Sequence, residues 1–562
     1  MKRETKKNIV QLGSFIAGIV LLNGIGTFVY HRFDLTQDKR YTLSPITNEI
    51  VDEVKEPILI EVLLEGQFSQ EFVKLQSETR QLLEEFSAEN SNILFRFVNP
   101  LEEGGGTEEQ VVNNLYELGA KPVTLTVNDK GIQSQSLVFP WAFVSKGEQM
   151  VKVQLLKNMI GANTEEKVLT SIQHLEYAFT EAIAKINTPK SKKIAILKGN
   201  GQLEDQYIAD FLISAKDNYH IAPFTLDSVA NAPEKTLAQL NEFDLAIVAK
   251  PTKAFDEKQI EVLDQFIMNG GKTLWLLDQV QADFDSLRAK GSMLAYPKDQ
   301  SLGEMLFKYG VRINPLLVKD EVATPIKLAL GRQGSETQYG EFIWKFAPFV
   351  YPESNHPIVK NIEGVRMDFV SPMDTLKNGI RKTVLLQSSQ YSLTVGTPAE
   401  ITLDILNEET TPEHYEGKGN YVLGVLLEGQ FKSVFENRVL PFALPKAKKQ
   451  SEDTKMIVIS DGDIIKNQLD QNYQPMELGY DKWTNKLYGN KEFLFNAMNY
   501  LLDDSGLINL RTKEVKIPVL DKMKVFEQYS KIQFIVLAVP IAVLLVIGFL
   551  FSFFKRKAFV KK

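Results

Sequence analysis

The chain has 562 residues, 44% of them hydrophobic and 24% charged, a formal net charge of −7 and no cysteine. This is a globular composition, long enough for several cores. It excludes disulfides, thiolate nucleophiles and thiolate metal sites, and its acidic balance argues against nucleic acid as a partner.

The first element is an uncharged run from Ile9 to Tyr30. At about 22 residues and ~1.5 Å of rise per residue it is long enough to cross a bilayer. It leads into Val29-Tyr30-His31-Arg32-Phe33, which suits an uncleaved anchor better than a signal peptide with a small-residue cleavage site. Ser14 and Gly18 lie four apart and so share one helix face, with Asn23 beyond them. Small residues let another helix approach closely, and an intramembrane amide gains from a protein partner. These three residues are the expected contact with a partner helix.

A second uncharged run, Ile532 to Phe554, contains Pro540, an expected kink. Lys2, Arg3, Lys6 and Lys7 precede the first run; Lys555, Arg556, Lys557, Lys561 and Lys562 follow the second. Positive flanks mark the cytoplasmic side, so both termini are expected inside and the body outside.

Within the body, Pro57 to Leu64 reads as a strand, Ser69 to Asn90 as a helix with Phe72, Leu75, Leu82, Leu83 and Phe86 on one face, and Ile93 to Val98 as a parallel strand. Pro122 to Val127 and Gln135 to Phe139 read as a hairpin around 128–131. Together these suggest a thioredoxin-like unit. Glu165 to Ile186 is a long helix with Val168, Leu169, Ile172, Leu175, Phe179, Ile183 and Ile186 at three- and four-residue spacing. Strands at Lys193 to Leu197, Phe243 to Ala249 and Thr273 to Leu277 alternate with helices at Leu203 to Ala215 and Asp256 to Asn269, the latter opened by an Asp256/Gln259 capping box and closed by Gly270-Gly271. That alternation predicts a doubly wound α/β domain, flavodoxin- or amidotransferase-like. From about Gly310 the chain is richer in strands, with a strand at Met456 to Ser460 and a helix at Asn490 to Leu502. The expected division is a cytoplasmic tail 1–8, a membrane helix 9–30, a thioredoxin-like unit 31–160, a doubly wound domain 161–310, a β-richer continuation 311–530, a membrane helix 532–554 and a basic tail 555–562.

Few motifs point to chemistry. Gly199-Asn200-Gly201 sits at a strand-to-helix turn where phosphate loops occur, but GxGxxG fails at Glu204, and Glu204-Asp205 at a helix start would repel a phosphate. A structural turn is expected, with Glu204 the position to inspect. Ser460-Asp461-Gly462-Asp463 resembles the opening of a calcium loop without its spacing, so a strand end with capping acids is expected. His31, His174, His220, His356 and His414 are scattered, without an HxxxH-type ligand pair. No GxSxG, HExxH or GxxxxGK[ST] occurs, so the chain is not itself an ABC ATPase, and no catalytic residue, cofactor or metal is assigned. LLEGQF occurs at Leu63 to Phe68 and again at Leu426 to Phe431, which is expected to be coincidence or local convergence more than a repeat.

Taken in order, Arg32-Phe33-Asp34-Leu35-Thr36, Lys39-Arg40-Tyr41-Thr42-Leu43-Ser44, Phe243-Asp244-Leu245-Ala246-Ile247-Val248 with Gly270-Gly271-Lys272, Asn355-His356-Pro357-Ile358-Val359, Ser460-Asp461-Gly462-Asp463 and a terminal apolar helix with a basic tail resemble the gliding-motility-associated ABC transporter auxiliary proteins, the GldG family. Broader relatives carry a GHGE-like turn where this chain has Gly199-Asn200-Gly201. The resemblance implies a non-catalytic, extracytoplasmic, substrate-binding-like subunit partnered by a separate permease and, through it, a cytoplasmic ATPase. It leaves the substrate open. The alternatives are a structural or sensor ectodomain and a membrane-tethered amidotransferase-like enzyme; the latter is weakened by the missing cysteine.

Overall fold

A computed structural model describes residues 2–28, 34, 42–129, 132–334, 336–513 and 522–559. Arg32, Phe33, Leu35, Thr36, Lys39 to Tyr41 and the tail residues Lys561 and Lys562 lie outside the described residues. The chain forms two compact units, Met1–Lys513 and Glu514–Lys562.

The first unit opens with α1 (Lys2–Phe28), whose apolar stretch Leu12–Gly24 is shorter than a bilayer span. After α2 (Pro45–Asp52), started by a proline at its first turn, come β1 (Ile58–Val62), α3 (Gln70–Glu89) and β2 (Ile93–Phe97). β1 and β2 pair in parallel from Ile58↔Ile93 to Val62↔Phe97, as the strand–helix–strand pattern requires. The five apolar residues expected on one face of α3 are all buried. Two short helices, α4 (Pro100–Glu103) and α5 (Glu108–Glu117), precede a separate hairpin, β3 (Val123–Asp129) with β4 (Ile132–Val138). β5 (Trp141–Lys146) and β6 (Gln149–Gln154) then complete a four-stranded sheet of order β2-β1-β5-β6, β5 running antiparallel to both its neighbours.

A 24-residue helix, α6 (Thr164–Asn187), follows, capped by Asn163 and Glu166 in a reciprocal box. Val168, Ile172, Leu175, Phe179, Ile183 and Ile186 are buried and Leu169 is half-buried. Helix α6 packs on α3 and on strands β5 and β6.

The central sheet starts with β7 (Lys193–Lys198), α7 (Ala209–Lys216), β8 (His220–Thr225), α8 (Pro233–Leu240), β9 (Leu245–Ala249), α9 (Glu257–Met268) and β10 (Lys272–Leu276). An excursion through β11 (Val280–Gln281), α10 (Phe284–Lys290), β12 (Ser292–Pro297), α11 (Gly303–Tyr309), β13 (Val311–Ile313), β14 (Leu316–Asp320), the long hairpin β15 (Ala323–Gln333) and β16 (Glu336–Val350), β17 (Val365–Arg366), β18 (Met373–Thr375), β19 (Arg381–Gln387), β20 (Ser392–Gly396) and β21 (Ala399–Thr402) leads to β22 (Val422–Lys432) and β23 (Gln450–Ile459). The sheet order is β13-β18-β22-β23-β10-β9-β7-β8, with β19 also on β22. From β23 through β10, β9 and β7 to β8 every pairing is parallel; β22 turns antiparallel.

Strand β9, LAIVA, is buried at every position, the signature of a parallel strand covered on both faces. Alternate residues feed two cores. Ile194, Ile196, Ile247, Leu276 and Ile459 meet α7 and α12 (Asn490–Leu502) on one side. Ala195, Leu197, Val248, Trp275 and Val458 meet α8, α9 and α11 on the other. Edge strand β8 is only half-covered and holds Pro223, which blunts an edge because it cannot donate to a further strand. The second unit contains α13 (Lys522–Glu527) and α14 (Tyr529–Phe559), with Pro540 inside α14. The most apolar 18-residue window within Tyr529–Lys557 has a mean hydropathy of 3.1, and none of it is buried. Among the described residues this helix alone is long and apolar enough to cross a membrane, and it suggests membrane anchoring.

The expected helix Leu203 to Ala215 starts later. A single 3-10 turn, Asp205–Tyr207, intervenes, and the α-helix begins at Ala209. Glu204 and Asp205 therefore do not sit on the first turn of an α-helix. The Lys198 ammonium, 2.8 Å from Asp205, supplies the positive partner that the helix dipole was expected to provide. The two LLEGQF copies also differ in structure. The first follows the end of β1 and turns at Gly66 (φ 142), whereas the second lies inside β22.

Candidate functional site at the carboxyl edge of the central sheet

In an open parallel sheet, ligands sit outside the carboxyl ends of the strands, where the strand order reverses. Here that point lies between β7 and β9, and the turn after β7 carries the sequence-predicted residues. Gly199 and Gly201 have φ of 106 and 69. Buried Asn200 donates from its side-chain amide to Gln259 Oε1 (3.0 Å), while its backbone carbonyl accepts the Thr252 and Lys253 N–H groups at 3.0 and 2.9 Å. A Cβ at Gly201 would run into the Thr252 hydroxyl. The turn after β9 thus seals the turn after β7. Glu204 is exposed and accepts from the Gln206 amide at 3.0 Å; it shares no hydrogen bond with Asn200. Gly201→Ala is expected to cost about 1–2 kcal/mol, from the left-handed backbone and the clash together. Urea unfolding checks this; an unchanged midpoint would show that the two turns are not interlocked.

The charged groups gather one strand further along. Lys250 follows β9, Asp278 follows β10, and Asp461 and Asp463 follow β23. Carboxylate oxygens of Asp278, Asp461 and Asp463 lie within 4.8 Å of one another. The cation between them belongs to the chain. Lys250 Nζ is 3.0 Å from Asp278 Oδ2 and pairs with Asp463 Oδ2, and Lys298 Nζ stands 3.9 Å from Asp278. Gly462 leaves the room for the lysine stem, since a Cβ there would come within 2.7 Å of Lys250 Cβ and Cγ. Its N–H donates to Asp278 Oδ1 at 2.5 Å.

Asp461 is a strand-end acid of the expected kind. Its two oxygens accept the Asp463 and Asp368 N–H groups at 2.7 and 2.9 Å. Burial, aided by the charges of Asp463, Asp278 and Asp368, holds its carboxyl well above the usual range. Burial pushes Asp463 the same way, but the Lys250 and Lys466 ammoniums more than reverse this and leave it lowered. Burial pulls the Lys250 ammonium down, and Asp463 and Asp278 offset that and raise it. The site is therefore a charge-balanced lock across the ends of three adjacent strands. The sequence signal for it was slight: each member is a charged residue just beyond an apolar strand.

Ser14, Gly18 and Asn23 all lie on α1 and are exposed, with open space around Gly18.

A mixed sheet with a five-strand parallel run, β8-β7-β9-β10-β23, edged by a self-paired charge cluster, describes an α/β protein, and the membrane-length apolar helix in the same chain suggests membrane anchoring. The family model described as an ABC-type uncharacterized transport system matches residues 191–497, and a domain of unknown function matches residues 37–145. The chain belongs to that ABC-type transport family, whose members are auxiliary to transporters. An uncharacterized protein of Borreliella burgdorferi is 21% identical over 496 residues, covering 86% of this chain and 85% of its own. A solved structure, the mmIFT52 N-terminal domain, is 14% identical and covers 56% of this chain and 99% of itself at a TM-score of 0.32; a likeness at that level bears on neither fold nor function.

Proposed function

We propose that this chain is a non-catalytic, substrate-binding-like auxiliary subunit of an ABC-type transport complex of the gliding-motility-associated (GldG) kind. It works with a separate permease and, through it, a cytoplasmic ATPase. The family match across residues 191–497 carries the reading. The membrane-length helix Tyr529–Lys557 supports a membrane-held subunit. In this reading α1 is a second span, both termini face the cytoplasm and the body is periplasmic, as the basic flanks favour. The strand order β8-β7-β9-β10-β23 supports a flavodoxin- or amidotransferase-like doubly wound domain, and β2-β1-β5-β6 supports a thioredoxin-like unit at 31–160. The division at 161–310 and 311–530 belongs to the same reading. Its non-catalytic character is favoured by an edge site whose charges pair with one another.

In this complex the Ser14/Gly18 face and Asn23 contact the permease. A mild-detergent pulldown of the full chain is expected to recover a multi-span permease and an ATPase. Gly18→Leu combined with Asn23→Leu is expected to weaken that recovery, by about 0.6 to 2 kcal/mol of lost helix contact, while insertion is preserved. Recovery of cell-surface partners without a permease would favour a sensor ectodomain. Unchanged recovery from the double variant would move the contact away from α1.

A further inference from the structure

The two segments that connect the body to the apolar helices meet on one side chain. Glu176, on α6, is 11% exposed. Its Oε1 accepts the Ser44 N–H at 2.7 Å and the Thr47 hydroxyl at 2.8 Å. Its Oε2 accepts from Lys513 Nζ at 2.6 Å, and the same ammonium donates to the Thr42 carbonyl at 2.8 Å. Residues 471 apart in sequence are thereby joined. Tyr177, Ile508 and Leu510 form a small buried cluster with Ile46 and Leu507 packed against it. Nearly buried Arg511 donates to the carbonyls of Pro357 and Lys360, each at 3.0 Å, and to Glu492 Oε1 at 2.9 Å; Lys157 reaches that same oxygen at 2.6 Å.

Two of the motifs that carry the family resemblance, Thr42-Leu43-Ser44 and Asn355-His356-Pro357, are both held by the 507–513 segment, the first through Lys513 and the second through Arg511. The helix that carries Glu176 is well connected. Helix α6 packs on β5, β6 and α3 of the first sheet. Through Glu181 it accepts from the Asn499 amide of α12 at 2.9 Å, and Asn499 accepts the Tyr219 hydroxyl at 2.8 Å. A largely buried carboxylate bound by an ammonium and two further donors is a stronger tie than a solvated loop offers.

We infer that Glu176 is a clamp that makes the two membrane-linking segments a single joint, so that displacement of either one is passed to α6 instead of being absorbed by a slack tether. The source of such displacement, a membrane partner, rests on the function proposed above; the joint itself does not.

Hydrogen exchange on the full-length protein in detergent tests it, through effects that cross from one segment to the other. Lys513→Met removes no bond to the Ser44 N–H, yet is expected to speed exchange at residues 44–52 about tenfold. Thr47→Val is expected to loosen residues 507–513 in the same way, and Glu176→Gln to loosen both, with β9 and β10 unchanged in every variant. Loosening confined to the segment that carries the substitution would overturn the joint, as would no change in Glu176→Gln. Permease recovery from the same samples separates the two proposals. Cross-loosening without a permease leaves the joint and removes the partner; a permease without cross-loosening does the reverse.

Discussion

Lys250→Met is expected to destabilise the body by about 3–5 kcal/mol, the range for leaving a buried charge without its partner. Lys250 and Asp463 have side chains 14% and 13% exposed, and Asp278 is at 7%, so solvent offers little screening. Removing the ammonium leaves Asp463 facing Asp278 across a few ångströms, with Lys298 at 3.9 Å from Asp278 and Lys466 at 3.8 Å from Asp463. The loss has a pH signature. In the native protein Asp463 is lowered, so its contribution is present above the unfolded carboxylate range and is lost as pH falls through its folded value. In Lys250→Met the carboxyl is raised instead, and stability falls as pH rises. The deficit should be small near pH 4 and largest at about pH 7. Thermal unfolding of the full chain, followed through buried Trp275 on the adjacent strand β10, reads it directly. Lys250→Met with Asp463→Asn should recover most of the loss. A single variant within about 1 kcal/mol of the parent at pH 7 would show that the lock contributes little to the fold.

What could be read along the chain was what local rules decide. The capping box of Asp256 and Gln259 forms as spaced, and α12 runs from Asn490 to Leu502 as the periodicity indicates. Strands β7, β9 and β10 are apolar runs because both sheet faces bury them. Strand β8 escaped notice for the opposite reason: it is a half-covered edge, HIAPFT, with a proline and no clear alternation. Glu204 was misplaced because periodicity does not reveal a 3-10 turn ahead of a helix. The lock was the least visible feature. Lys250, Asp278 and Asp461 become neighbours only when β9, β10 and β23 lie side by side, and β23 reaches that position after the long excursion from β11 to β22. No spacing rule encodes such an encounter. The Glu176 joint is hidden in the same way, since it closes between the two far ends of the body.

Glu261→Gln is expected to change how stability varies with pH, with little effect at acidic pH. Glu261 lies on the covered face of α9 with no exposed surface. Its Oε2 accepts the Phe442 N–H at 3.2 Å, and Oε1 has no hydrogen-bond partner. Burial pushes the carboxyl up to about 7, against the Phe442 N–H, with nearby Asp264 adding to the rise. The folded state thus holds a proton that the unfolded chain releases near its ordinary value of 4.5. Between those two values the unfolded state binds fewer protons than the folded one, so stability falls as pH rises, and it levels off above about 7. Glutamine keeps the shape and an acceptor for Phe442 but cannot ionise, so it removes this fall. The difference between variant and parent should be near zero at about pH 4.5 and should grow to on the order of 1–3 kcal/mol in favour of glutamine at about pH 8. Urea midpoints across that range measure it. A difference that stays constant with pH would mean that Glu261 is ionised in the folded body throughout, and that a partner for Oε1 compensates for its burial.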